Sequence, residues 1–151
     1  MTYDSTDDTK AHIYMVREFI EEARALLMFR QMAHDASKFE DPEKKMYDEW
    51  KPKIRYAEKA YGYGSKEYED CLNGMGEALR HHFETNRHHP EHFENGINGM
   101  TLIDLIEMFC DWKAASVQYG TRLNLEANKK RFGMSDQLFE IFQNTVTELN
   151  W

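Results

Sequence analysis

From Asp8 to about Met32 the chain carries neither glycine nor proline, and Ile13, Val16, Ile20, Ala23 and Leu27 recur at spacings of three and four. That period puts apolar side chains on one face of a helix, whereas a strand, with period two, cannot produce it. Thr9 or Asp8 is the expected cap. Farther on, Pro42 and Pro52 bracket KKMYDEW, read as a short helix or turn, and a helical stretch follows around 53–61. YGYGS (61–65) reads as a loop, with Ser65 capping a helix over 66–83. Residues 86–100 hold Pro90, Gly96 and Gly99 and are too polar and broken for a core helix. Thr101 then caps a strong helix, TLIDLIEMFCDWKAASVQY, which is apolar at Leu102, Ile103, Ile106, Phe109 and Ala114. LNLEANKKRFGMS reads as a polar connection, and a final helix begins at Ser135 with Leu138, Ile141, Phe142, Val146 and Leu149 on one face. No strand alternation, repeat or low-complexity tract interrupts this pattern. The expectation is an all-α fold, a compact single-domain bundle of five to seven helices.

A chain of 151 residues is long enough to bury a core and is expected to form one domain, with a motif-bearing part over 8–120 and a C-terminal loop and helix over 121–151. The net charge of −8 announces no basic face for the phosphates of a nucleic acid, so a small-molecule or protein partner is expected instead. Cys71 and Cys110 make no CxxC motif and no disulfide framework. The opening MTYDSTDDTK has no apolar stretch of the kind a signal peptide carries. No apolar run reaches the roughly 20 residues of a membrane helix. A cytoplasmic protein with no membrane partner is expected, in a bacterium or a phage-infected host. Nine methionines, many aromatics and an amphipathic C-terminal helix would suit a homodimer, although that helix is read first as completing the core.

Five of the seven histidines (His81, His82, His88, His89 and His92) fall within twelve residues. Neutral imidazole is a common ligand for divalent transition metals, and clustering brings several imidazoles to one ion. A solvated polar loop would also explain them. His34 and Asp35 are adjacent, and near a helix end two neighbouring side chains can reach a single ion. Asp104, Glu107 and Asp111 follow at spacings of three and four, which places three carboxylates on one helical stripe. Beside an apolar core such a stripe is costly unless a cation or hydrogen bonds compensate. A solvent-facing stripe, or a cap, is the plainer reading of each.

The order His12, His34-Asp35 and Asp111 resembles the H…HD…D signature of the HD-domain metal-dependent phosphohydrolases. HDASK (34–38) and CDWKAA (110–115) resemble the surroundings of their HD motif and final aspartate. Closer still is the resemblance to a small HD-like family of phage and bacterial proteins without an assigned reaction. It rests on HDxSKF (34–39), on H-x3-N-x-H-H (His82, Asn86, His88, His89) and on EMxxDWxA (107–114). The resemblance spans residues 12 to about 115 and implies an HD-like helical bundle. It also implies a divalent-metal cofactor of one or two ions, with Mn, Fe, Zn, Co, Ni and Mg not distinguished. The implied ligands are His12, His34, Asp35 and Asp111, with His82 and His89 for a second ion and His81, His88 and Asp104 ranked below them.

The implied reaction is hydrolysis of a small phosphate ester, such as a nucleotide, by a metal-activated water. Lys38 and Arg87, with Lys113 behind them, would neutralise phosphate oxygens, and Asn86 and Arg87 begin a loop that could close over the ion. Glu107 would orient a ligand histidine or shuttle a proton. His92 reads as a loop residue. Two other functions share the motifs: an HD-type di-iron oxygenase, and a non-catalytic, metal-stabilised binding protein of phage origin. Geometry adds one condition. On an unbroken helix His12 and His34 would stand roughly 33 Å apart, so either the chain turns back around 21–26 or His12 is no ligand.

Overall fold

The computed structural model describes residues 3–62 and 65–151. Among them are seven α-helices, three 3-10 turns and no strand, so the fold is all-α. The chain divides into two units, Met1–His34 and Asp35–Trp151, where the periodicity alone reads as one domain. No helix among the described residues is long and apolar enough to cross a membrane.

The first unit is one helix, α1 (Thr6–Ala33), followed by His34. It starts earlier than Thr9 or Asp8 would allow, because the Asp4 carboxylate accepts from the Thr6 backbone N–H at 3.0 Å and from the Thr6 hydroxyl at 2.6 Å. No turn occurs around residues 21–26; the absence of glycine and proline lets the backbone ladder continue.

The second unit begins with a 3-10 turn, Ala36–Phe39, and α2 (Glu43–Tyr61). Pro52 does not split α2 as the bracketing prolines suggest. Glu43, Met46, Tyr47, Trp50, Ile54 and Ala57 form a buried or half-buried stripe at helical spacing, and Pro52 lies off it on the exposed side. Packing along that stripe carries the helix past the one hydrogen bond that proline removes.

The helix expected over 66–83 is instead two, α3 (Lys66–Gly74) and α4 (Gly76–Thr85), hinged at buried Met75. At Gly74 a Cβ would stand 2.4 Å from the Trp50 indole, so the glycine that ends α3 is also what lets α3 approach α2. Ser65 caps α3 as expected, accepting from the Tyr68 N–H; Tyr63 and Gly64 of the expected loop lie outside the described residues.

Residues 86–100 form a loop with two 3-10 turns, Pro90–His92 and Gly96–Gly99. It is not merely a polar surface loop, for Asn86, His88, Pro90 and Ile97 are buried. The polar ones among them find partners in the site described below. Thr101 caps α5 (Leu102–Gln118) with a full capping box, its side chain accepting from the Asp104 N–H while Asp104 accepts from the Thr101 N–H.

The stretch read as a polar connection holds α6 (Leu125–Phe132), started by the Asn124 side chain and stopped by Gly133 at φ 61°. α7 (Asp136–Leu149) follows, capped by Ser135. Its inner face centres on Phe139 and Phe142, while Ile141 and Leu149, expected on that face, are about half exposed (51% and 49%). Ile97, Met108, Phe109, Met134, Phe139 and Phe142 make the core, and the Phe109 and Phe142 rings stack at 4.8 Å.

Candidate metal centre

Asp35 opens the second unit in a left-handed backbone conformation (φ 56°, ψ 16°). Aspartate tolerates that region better than most residues, yet it is strained relative to helix, and such strain gathers at functional positions. The bend leads straight into the 3-10 turn, where Lys38 N–H donates to the Asp35 carbonyl at 2.9 Å. The Asp35 carboxylate is thereby shared between two directions. Its Oδ2 takes the Lys38 ammonium, while its Oδ1 lies 3.3 Å from His82 Nε2 and 3.5 Å from His88 Nε2.

His82 comes from the last turn of α4 and is 2% exposed. Its Nδ1 faces Glu43 Oε2 at 2.9 Å, and Glu43 is completely buried at the first turn of α2. The Asn86 amide donates one N–H to the Ser37 hydroxyl at 2.8 Å and the other to the His82 carbonyl at 2.9 Å. With both amide protons placed, the proton between His82 and Glu43 belongs on His82 Nδ1. The Nε2 lone pair then points at Asp35 and at His89 Nε2, 2.9 Å away.

His88 repeats the device from the loop: its Nδ1 faces Glu107 Oε1 at 3.2 Å, and its Nε2 turns to Asp35. Asp35, His82, His88 and His89 thus present four ligand atoms within 4.8 Å of one another, a half-buried to buried group that can hold a metal ion. Separations of 2.9–3.5 Å suit neighbouring ligands around an ion bound at about 2.1 Å.

Burial above all favours the neutral form of His82 and His89, the form that binds metal. Burial and the neighbouring His88 and His82 push the His89 pKa down to about 3, against the opposing pull of Asp111 and Asp35. Burial and Lys38 lower His82, with Asp35 and Glu43 opposing. At Glu43 burial alone would raise the pKa, but hydrogen bonds from His81, Ser37 and His82 outweigh it and hold the carboxyl below its ordinary value.

Asp111 lies one turn beyond Glu107 on α5 and brings a carboxylate oxygen within 4.8 Å of Asp35. Other expected residues are placed differently. His81 turns its Nδ1 onto Glu43 Oε1 at 2.7 Å rather than joining the four. Asp104 is removed from the ligand set, because its carboxylate closes the α5 capping box and takes a two-point contact from Arg87 at 3.2 and 3.0 Å. Arg87, expected to neutralise phosphate oxygens, makes that pairing and lies over the face of the Phe93 ring. Asn86 ties Ser37 to α4 and so positions the site.

His12 is corrected as well. α1 is continuous, so His12 stands roughly 33 Å along the rod from His34 and cannot share an ion with it in one chain. His34 itself ends the first unit as the C-terminal cap of α1, one peptide bond before Asp35. His92 Nδ1–H donates to the Phe83 carbonyl at 3.0 Å, a loop staple. Glu43 is the participant that the motifs do not announce. It stands 39 positions from His82 in a run of charged residues, with no local signal of burial.

Residues 1–148 match the model of a family of unknown function, DUF5662. No curated protein and no solved structure matches the chain.

Proposed function

We propose that this chain, which belongs to the DUF5662 family over nearly its whole length, is an HD-like metal-dependent hydrolase of a small phosphate ester. The observation that carries the reading is the convergence of three electron-pair donors, Asp35 Oδ1, His82 Nε2 and His88 Nε2, with a carboxylate behind each imidazole. Lone pairs that face one another repel unless a cation lies between them, and a carboxylate on the far nitrogen is the usual partner of a metal-bound histidine.

Imidazole and carboxylate donors together suit Zn, Mn, Fe, Co or Ni better than Ca or Mg, which prefer oxygen alone. Asp111, whose carboxylate comes near that of Asp35, would supply a further ligand for an ion that shares Asp35. A bound divalent ion would bring the pKa of a coordinated water towards neutrality and supply the nucleophile. The chain's own residues would do the rest. Glu43 and Glu107 would hold the imidazoles in the binding tautomer, and Lys38, paired with Asp35, is the cation beside the site. The phosphate-ester substrate is supported by the HD…D part of the resemblance, without its first histidine, and by the acidic net charge, which disfavours a long polyanion.

Elemental analysis of the purified protein tests the metal. About one equivalent or more is expected in the wild type, with loss in Asp35→Asn, His82→Ala and His88→Ala. A metal-free wild type, or full stoichiometry in all three variants, overturns the metal centre. A screen of nucleotides and small phosphate esters with added Mn²⁺ or Co²⁺ tests the reaction separately. A metal-loaded protein inert towards all of them would leave the centre standing and remove the hydrolase.

A further inference from the structure

Tyr47 follows Glu43 by one turn of α2, on the same inward stripe. Lys38, whose ammonium is held on Asp35 Oδ2, lies 5.6 Å from the centre of the Tyr47 ring. The ammonium that pairs with Asp35 thus lies against the Tyr47 ring. Lys38 occupies Oδ2, while Oδ1 looks at the imidazoles. None of the sequence motifs includes Tyr47.

Burial raises the Tyr47 pKa, and the negative charges of Glu43, Asp35, Tyr119 and Asp111 raise it further. The phenol thus stays an O–H at every ordinary pH and acts as a hydrogen-bond donor without bringing another charge to an already acidic site. A fixed neutral donor next to a cation is what a site needs where negative charge sits on a ligand's oxygens. Packing alone would be met equally well by phenylalanine.

We propose that the Tyr47 hydroxyl and the Lys38 ammonium together receive the oxygens of a phosphate group bound at the metal centre. This rests on the metal reading above and adds the means by which the substrate anion is held. The Lys38 ammonium has three N–H donors, so the contact with Asp35 and a contact with phosphate can coexist. Tyr47 Oη–H donates to a second phosphate oxygen.

The test uses the full chain, Mn²⁺ as the metal and inorganic phosphate as the anion. Mn²⁺ affinity is measured first and is expected to be equal, within about threefold, in wild type and Tyr47→Phe. Phosphate affinity of the Mn²⁺-loaded protein is then expected to fall roughly tenfold in Tyr47→Phe and at least as far in Lys38→Met. Broadening of the phosphorus NMR line by protein-bound Mn²⁺, with free Mn²⁺ removed, is expected in the wild type as well, since it requires phosphate beside the bound ion and needs no variant. Mn²⁺ binding without phosphate binding, or phosphate affinity unchanged in Tyr47→Phe, overturns this proposal and leaves the metal centre intact. A wild type that binds no Mn²⁺ or other divalent ion overturns both.

Discussion

A histidine lends a metal one ring nitrogen best when the other is held by something, and here two carboxylates, one fully buried and one partly, do the holding. Glu43 takes His82 and Glu107 takes His88, so both Nε2 atoms face Asp35. Glu43→Gln keeps a hydrogen-bonding side chain of the same shape but loses the charge, and it should weaken metal binding by about 10–100-fold with little change of fold. Isothermal titration of Mn²⁺ or Zn²⁺ into the variant checks this, and unchanged affinity would leave Glu43 a purely structural acid.

The depressed His89 and His82 pKa values give the metal-free protein a defined response to pH. In the unfolded chain each takes up a proton near pH 6.5, whereas the folded protein refuses His89 one until about pH 3. The stability from these neutral rings is therefore complete above about pH 6.5 and declines as pH falls from there towards 3. Melting temperatures of the chelated protein across that window should fall on acidification, and fall less in His89→Phe. At this scale the spacing of His82, Asn86, His88 and His89 is legible in sequence. The choice of His82 over His81 is not, since adjacent residues on a helix point about 100° apart and only packing sets which one faces inward.

At the scale of elements, α5 serves the site at one end and the fold at the other. Its N-terminus is closed by Thr101 and Asp104, with Arg87 docked on the same carboxylate. One turn later Glu107 meets His88, and another turn on Asp111 comes near Asp35. The three acids look equivalent by spacing, yet they do three different jobs because each successive turn meets a different neighbour. Asp104→Ala should cost about 2 kcal/mol, the loss of a cap and of a hydrogen-bonded charge, and denaturant unfolding measures it. A figure under about 0.5 kcal/mol would show the Arg87 bridge to be ornamental.

Gly74→Ala is expected to destabilise by about 1–3 kcal/mol through collision with the Trp50 ring, readable in the same unfolding experiment. The boundaries of α5 and α7 were visible from their caps. Two other boundaries were not. Pro52 suggested a break that the buried stripe of α2 overrides, and Gly74 marked a break within the single helix expected over 66–83.

At the scale of the whole molecule, the second unit gathers its site from four separate stretches. These are the bend at Asp35, the start of α2, the end of α4 with its loop, and the middle of α5. An ion bound there would tie the four together, and the folded state alone would bind it. Saturating metal at a hundred times its dissociation constant should then add about 2.7 kcal/mol to the stability, and a chelator should remove it. Differential scanning calorimetry with and without chelator measures the shift; coincident melts would contradict a metal bound only by the native fold.

What the chain's sequence settles by itself is local. Periods of three and four, the serine and threonine caps and the absence of strand alternation make it all-α, and the H-x3-N-x-H-H spacing marks His82 and His89 as candidate ligands. What only the tertiary structure decides is which polar groups are buried against which. Glu43 joins the site from 39 residues away, Asp104 leaves it for Arg87, and the unbroken α1 separates His12 from His34. The reason is physical: a helix's phase and caps are written in neighbouring residues, whereas the pairing of a buried charge depends on contacts formed only when distant segments pack.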